Sequence, residues 1–110
     1  MRIIFLPEAL DYFNKLTTVL YEEEYFGFEE NALKYVDELI DDITNTLHLR
    51  LKKPAPIQFE KFGRSMFYCS FRKNKHTTWY IFFTQYQVDE ERVYLVRHIS
   101  NNNELSSNFL

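Results

Sequence analysis

At Lys52-Lys53-Pro54-Ala55-Pro56 the hydrophobic pattern of this chain changes period, and that change decides what the chain can build. Before the junction apolar residues recur at helical intervals; after it they alternate with polar ones. The first pattern gathers apolar side chains on one stripe of a helix, and the second gathers them on one face of a strand. Pro54 and Pro56 disfavour helix across the junction, since each lacks an amide hydrogen and restricts the residue before it. Helices followed by strands, each needing to bury one apolar side, point to an α+β fold in which the helices cover a sheet.

"RIIFL", residues 2–6, is short, apolar and β-branched, so it reads as a first strand; Pro7 stops its ladder and is suited to starting a helix. Leu10, Phe13, Leu16 and Leu20 then share a stripe opposite Asp11, Asn14 and Lys15, and this helix is expected to end near Glu22–Glu24. After Gly27, the residues Ala32, Leu33, Val36, Leu39, Ile40, Ile43 and Leu47 repeat the helical period over about five turns. So short a connection makes the two helices an antiparallel hairpin. Beyond the junction, "IQFEKF" (57–62) reads as an alternating strand up to a turn at Gly63 and Arg64. "SMFYCSFR", "TTWYIFFTQY" and "RVYLVRHIS" follow as three β-rich runs separated by polar turns at 73–76 and 87–91, a spacing that demands an antiparallel meander. The expectation is an N-terminal strand, a two-helix hairpin, then a three- to four-stranded antiparallel sheet. Residues 1–100 form a single domain and 101–110 a polar C-terminal tail.

With 110 residues, a division into two domains would leave each half a marginal core. The single cysteine, Cys69, excludes an intrachain disulfide and fits a reducing cytoplasm. No apolar run approaches the roughly 20 residues of a membrane span, and Ile3 to Leu6 is too short for a signal peptide. The net charge of −3 conceals a segregation: between Arg50 and Lys75 there are eight cations and one acid, Glu60. Such a local positive field attracts phosphate or an acidic protein segment equally well.

The centre of that field is "FRKNKH", residues 71–76, flanked by aromatic runs. Arg72, Lys73 and Lys75 there form either a polar hairpin turn that keeps a sheet edge soluble or a site that handles an anion. His76 and His98 are candidate acids or bases, histidine being the residue type suited to moving protons near neutral pH. Arg97 and His98 alternate, so a flat strand sends them to opposite faces unless a bulge intervenes. Trp79, Tyr80, Phe82 and Phe83 either stack bases or, more simply, fill the core. Asp37, Glu38, Asp41 and Asp42 have the look of paired carboxylates for Mg²⁺, yet on an amphipathic helix they form its solvated face. His48, His76, His98 and Cys69 lack zinc-site spacing, and no glycine-rich phosphate loop is present. No metal and no cofactor are expected.

"RIIFLPEALDYFNKL", the Lys61-Phe62-Gly63 lead into the sheet and "FR…YIFF…VYLVRHI", taken with the element order, resemble the RelE/ParE toxins of bacterial toxin–antitoxin modules. The resemblance spans almost the whole chain. It implies a small cytoplasmic toxin restrained by a cognate antitoxin, acting as a ribosome-dependent mRNA endoribonuclease. Within it, Arg72 matches a basic residue after the second sheet strand that binds the scissile phosphate, Lys52 and Lys53 match functional lysines of the helix-to-sheet connection, and Arg97 and His98 fall where such toxins place basic or histidine residues. The implied catalytic set is Arg72, His76, Arg97 and His98, with Lys52, Lys53, Lys61, Arg64, Lys73 and Lys75 contacting RNA phosphate. Thr78 and Trp79 stand where family nucleases often carry a second arginine, and Phe109 and Leu110 close the tail where many have a tyrosine. These departures keep two alternatives in view: a non-enzymatic ParE-like inhibitor of DNA gyrase, and a family member that has lost toxicity.

Overall fold

The computed structural model describes residues 1–22 and 29–102. Gly27 and residues 23–24, where the first helix was expected to end, lie outside them, as do 103–110 of the tail. β1 (Arg2–Phe5) leads into α1 (Pro7–Glu22); α2 (Glu29–Thr46) continues as a short 3-10 turn, Leu47–Leu49. β2 (Lys53–Pro54), a 3-10 segment (Ile57–Phe62), β3 (Phe67–Asn74), β4 (Thr77–Val88) and β5 (Glu91–Asn101) complete the chain. The strands form one five-stranded mixed sheet in the order β1-β5-β4-β3-β2. The α+β class expected from the sequence is therefore present, but the sheet is larger than expected. β1 joins it as an edge strand parallel to β5, and Lys53 and Pro54 pair with Tyr68 and Phe67 at the opposite edge, where a proline is tolerated.

Both helices lie on one face of the sheet. Their buried stripes are Ala9, Phe13 and Leu16 on α1, and Ala32, Val36, Leu39 and Ile43 on α2, all but Ala32 packed with Cys69, Phe71, Trp79, Ile81, Phe83, Tyr94, Val96 and Ile99 in one core. Leu10 and Leu33 were expected within those stripes but are 46% and 51% exposed, because each sits about 100° round its helix from the buried Ala9 and Ala32. Trp79, buried in this core, donates its indole N–H to the Tyr35 hydroxyl at 2.9 Å, which satisfies its one polar atom.

"IQFEKF" does not form a strand. The Ala55 amide donates to the Met66 carbonyl at 2.9 Å, the Phe59 amide donates to the Pro56 carbonyl at 3.0 Å, and the chain coils into the 3-10 segment 57–62. Strict alternation would have made position 61 apolar, yet Lys61 stands there and the ring comes at Phe62. The three-residue spacing of Phe59 and Phe62 matches the turn of a 3-10 helix. The segment lies on the face away from α1 and α2, where Phe59 and Met66 bury Phe82 in a second, smaller core. The strands also outrun their expected limits: the two reverse turns narrow to Lys75–His76 and Asp89–Glu90, with Asp89 at φ 56°, and β5 reaches Asn101. No helix among the described residues is long and apolar enough to cross a membrane.

One arginine of the cation-rich stretch ties these layers together. Arg50 donates to the Thr46 hydroxyl (3.0 Å), the Ser70 carbonyl (3.0 Å) and the Asp42 carboxylate (3.1 Å), while its guanidinium lies 3.8 Å from the Phe71 ring centre. It joins the end of α2 to the edge of β3. Arg50→Ala is expected to lower unfolding stability by about 2 kcal/mol, since it removes partly buried charge-assisted bonds to Asp42, Thr46 and Ser70. Urea denaturation of the two proteins measures the difference, and a loss below about 0.5 kcal/mol would reduce the cluster to an ordinary surface ion pair.

Candidate nucleic-acid interface

The strand register arranges the sheet face away from the helices in rows. Lys53, Tyr68, Phe82 and His98 face one another across β2, β3, β4 and β5. Ser70, Tyr80 and Ser100 form the next row, and Arg72 with Thr78 the row nearest the Lys75–His76 turn. From Tyr68 to that turn, this face of β3 and β4 carries no carboxylate. Asp37, Glu38, Asp41 and Asp42 of α2 stand on the other side of the sheet, so much of the charge segregation along the sequence becomes a segregation in space.

Arg72 is exposed, and its Nε donates to the Asn74 carbonyl at 3.2 Å. Lys75 and His76 are exposed at the adjoining turn, which is closed from two directions. The His76 amide donates to Asn74 Oδ1 at 2.8 Å, and Asn102 Nδ2 donates to the His76 carbonyl at 2.9 Å while Asn102 Oδ1 accepts from the Thr78 amide at 3.1 Å. Lys73 alternates to the helix side, where its ammonium lies 5.2 Å from the Tyr35 ring centre. Lys52 sits 4.9 Å from the Phe67 ring centre, also toward the helices, whereas Lys53 is exposed in β2 beside Tyr68. Arg64 is exposed in a turn whose next residue, Ser65, takes φ 56°.

Arg97 and His98 share a face after all. The register slips between Phe82, which faces His98, and Phe83, which faces Val96; Arg97 is the extra residue of a β-bulge. The slip reverses parity along β5, so Ile99 joins Tyr94 and Val96 in the core under the helices instead of following Val93, Leu95 and Arg97. Arg97 donates from Nε to the Thr84 hydroxyl at 3.1 Å and from a terminal nitrogen to the Tyr86 hydroxyl at 3.0 Å. Bonds from Thr84 and Arg97 hold the Tyr86 phenol below its ordinary 10.0. Gly63 crosses so close above the guanidinium stem that a Cβ there would come within 2.6 Å of Arg97 Cδ. Beside it the His98 ring stacks on Phe62 at 3.8 Å, with Lys61 5.2 Å from the centre of the same ring. Lys61, Phe62, Arg97 and His98 line a cleft of about 320 Å³ whose far wall is the start of α1, including Glu8.

The structure thus brings the candidates together as two groups. Arg72, Lys75 and His76 sit by the turn; Lys61, Arg97 and His98 sit by the cleft. Arg72 lies four residues along the strands and two strands across from His98, about 16 Å at usual strand spacings. Among the described residues the ion pairs are Arg2 with Glu91 and Arg50 with Asp42, and no described carboxylate forms an ion pair with Arg72, Lys75, Lys61 or Arg97. Sequence reasoning missed Asn102, Thr84 and Tyr86. Thr84 and Tyr86 alternate with core residues of β4 and could be matched to Arg97 only once the bulge was known. Asp37, Glu38 and Asp41 are exposed and Asp42 holds Arg50, and no group of three or more potential metal ligands gathers among the described residues.

Cys69 is not part of this surface. It is 1% exposed under the helices, and burial pushes its thiol from 9.0 up to about 11. Below pH 9 the thiol is neutral in both folded and unfolded chains; from about pH 9 to 11 only the unfolded chain ionises, so folding stability falls as pH rises through that window. At pH 8 the native thiol is expected to resist alkylation by iodoacetamide and to react once the chain is unfolded in urea. Equal rates in both states would contradict that burial. No family model, curated protein or solved structure matches this chain.

Proposed function

We propose that the chain is the toxin of a type II toxin–antitoxin pair, RelE/ParE-like in architecture, which cleaves mRNA on the translating ribosome and is held inactive by a cognate antitoxin. The observation that carries this reading is Arg72, an exposed arginine that has no carboxylate partner among the described residues and lies where β3 and β4 carry no carboxylate from Tyr68 to the turn. In the reaction, Arg72 holds the scissile phosphate and offsets the charge that builds on its oxygens. The adjacent ribose 2′-OH attacks phosphorus as its proton is removed, the bond to the 5′-oxygen breaks, and that oxygen takes up a proton. The products are a 2′,3′-cyclic phosphate and a free 5′-hydroxyl. His76, at the turn beside Arg72, is the candidate to move the proton.

The separation of the candidates favours a second reading. With Arg97 and His98 about 16 Å from Arg72, a complete acid–base pair is not assembled around the arginine among the described residues. A cationic surface without such a pair suits a non-enzymatic inhibitor that binds DNA gyrase. Induction in a bacterial host, with mRNA 5′ ends and plasmid supercoiling followed together, separates the two. Cuts inside translated codons that vanish when translation is blocked support the nuclease, intact mRNA with disturbed supercoiling supports the gyrase inhibitor, and neither effect leaves a family member without toxicity.

A further inference from the structure

We infer that the Lys61–Arg97 cleft is a second anion subsite, which grips a non-reacting phosphate of the same single RNA strand that Arg72 engages; this rests on the nuclease reading above. Arg97 is fixed in advance. Its Nε and one terminal nitrogen are committed to the Thr84 and Tyr86 hydroxyls, and Gly63 closes over its stem. Both acceptors are neutral, so the guanidinium keeps its full charge, unlike Arg50, whose charge Asp42 meets. An arginine held rigid without an opposing carboxylate loses little entropy when it binds phosphate. Lys61 adds a second cation on the same cleft.

The spacing selects the ligand. The two subsites lie on one sheet face about 16 Å apart, which is about five nucleotide steps at the 3.4 Å rise of a stacked strand and fewer when the strand is drawn out. A dinucleotide cannot reach both, whereas an octanucleotide can. Glu8 on the far wall is the one acid among the described residues that line the cleft, and it opposes the anion there.

Fluorescence anisotropy with labelled oligouridylates of two, four, eight and twelve nucleotides tests the inference on the full chain. Affinity is expected to step up between two and eight nucleotides. Lys61→Ala should weaken octamer binding about 3- to 10-fold and reduce the slope of log affinity against log salt by about 0.7, the single-strand value for one lost phosphate contact. Glu8→Gln should strengthen octamer binding. Arg97→Lys, which keeps the charge but loses the fixed fork, should resemble Lys61→Ala if it folds; Lys61 and Glu8 are exposed, so their variants decide the matter without that risk. Octamer binding indifferent to both Lys61 and Glu8 overturns the second subsite and leaves the nuclease reading standing. No binding by the parent protein at any length also overturns the second subsite, while the induction experiment decides the nuclease reading.

Discussion

Arg72→Ala is expected to fold like the parent chain and to cause no growth arrest on induction. The expectation of normal folding follows from what Arg72 touches: it is exposed and donates to the Asn74 carbonyl two residues away, so its loss should cost within about 0.5 kcal/mol. The expectation of lost toxicity follows from its charge. Removing one donor that stabilises developing negative charge costs about 100- to 1,000-fold in rate. Thermal unfolding and codon-mapped mRNA cleavage, measured on the same variant, separate the two effects. If toxicity survives both Arg72→Ala and the double change Lys52→Ala, Lys53→Ala, the anion site lies elsewhere.

Phe82→Ala is expected to be the most damaging single truncation on the face away from the helices, costing about 3–5 kcal/mol of a total that for such domains is about 5–15. Phe82 is 0% exposed, and Phe59 stacks on it at 4.5 Å while the Tyr68 and His98 rings stand 5.5 and 5.6 Å away. Its ring is the floor on which the 57–62 segment rests, so truncation opens a cavity and frees that segment together. Chemical denaturation gives the loss directly. Leu10→Ala and Leu33→Ala, both apolar but half exposed, should stay within about 0.5 kcal/mol. A Phe82→Ala cost near that of the two leucine variants would mean the segment is not docked on the sheet. The same truncation should also blunt the cleft, because Lys61 and Phe62 arrive there on the docked segment.

The elements that sequence reasoning placed well are those whose periodicity is long. The sixteen residues of α1 and eighteen of α2 offer repeated turns over which one stripe averages out local exceptions such as Leu10 and Leu33. The parity of 66–72 was likewise readable: Cys69 and Phe71 are buried under the helices, Ser70 and Arg72 are exposed. Short segments escaped. Six residues of "IQFEKF" fit a strand at Ile57 and Phe59 and a 3-10 turn at Phe59 and Phe62, and only docking on Phe82 chooses between them. β2 is two residues long and has no pattern of its own; it exists because β3 offers an edge.

By itself the sequence determined the layers, through the change of hydrophobic period at residues 52–56, and the local charge, through eight cations gathered between Arg50 and Lys75. Those are properties of neighbours along the chain, set by side-chain spacing and composition. Tertiary structure decided what each cation is for. It gave Arg50 to Asp42 and Phe71, turned Lys73 toward Tyr35, left Arg72 uncovered, and used one inserted residue to bring Arg97 and His98 to a common face beside Lys61. The physical reason is that a bulge and a hydrogen-bond partner are relations between strands that meet only in the folded sheet. No spacing within one strand encodes the register of its neighbour.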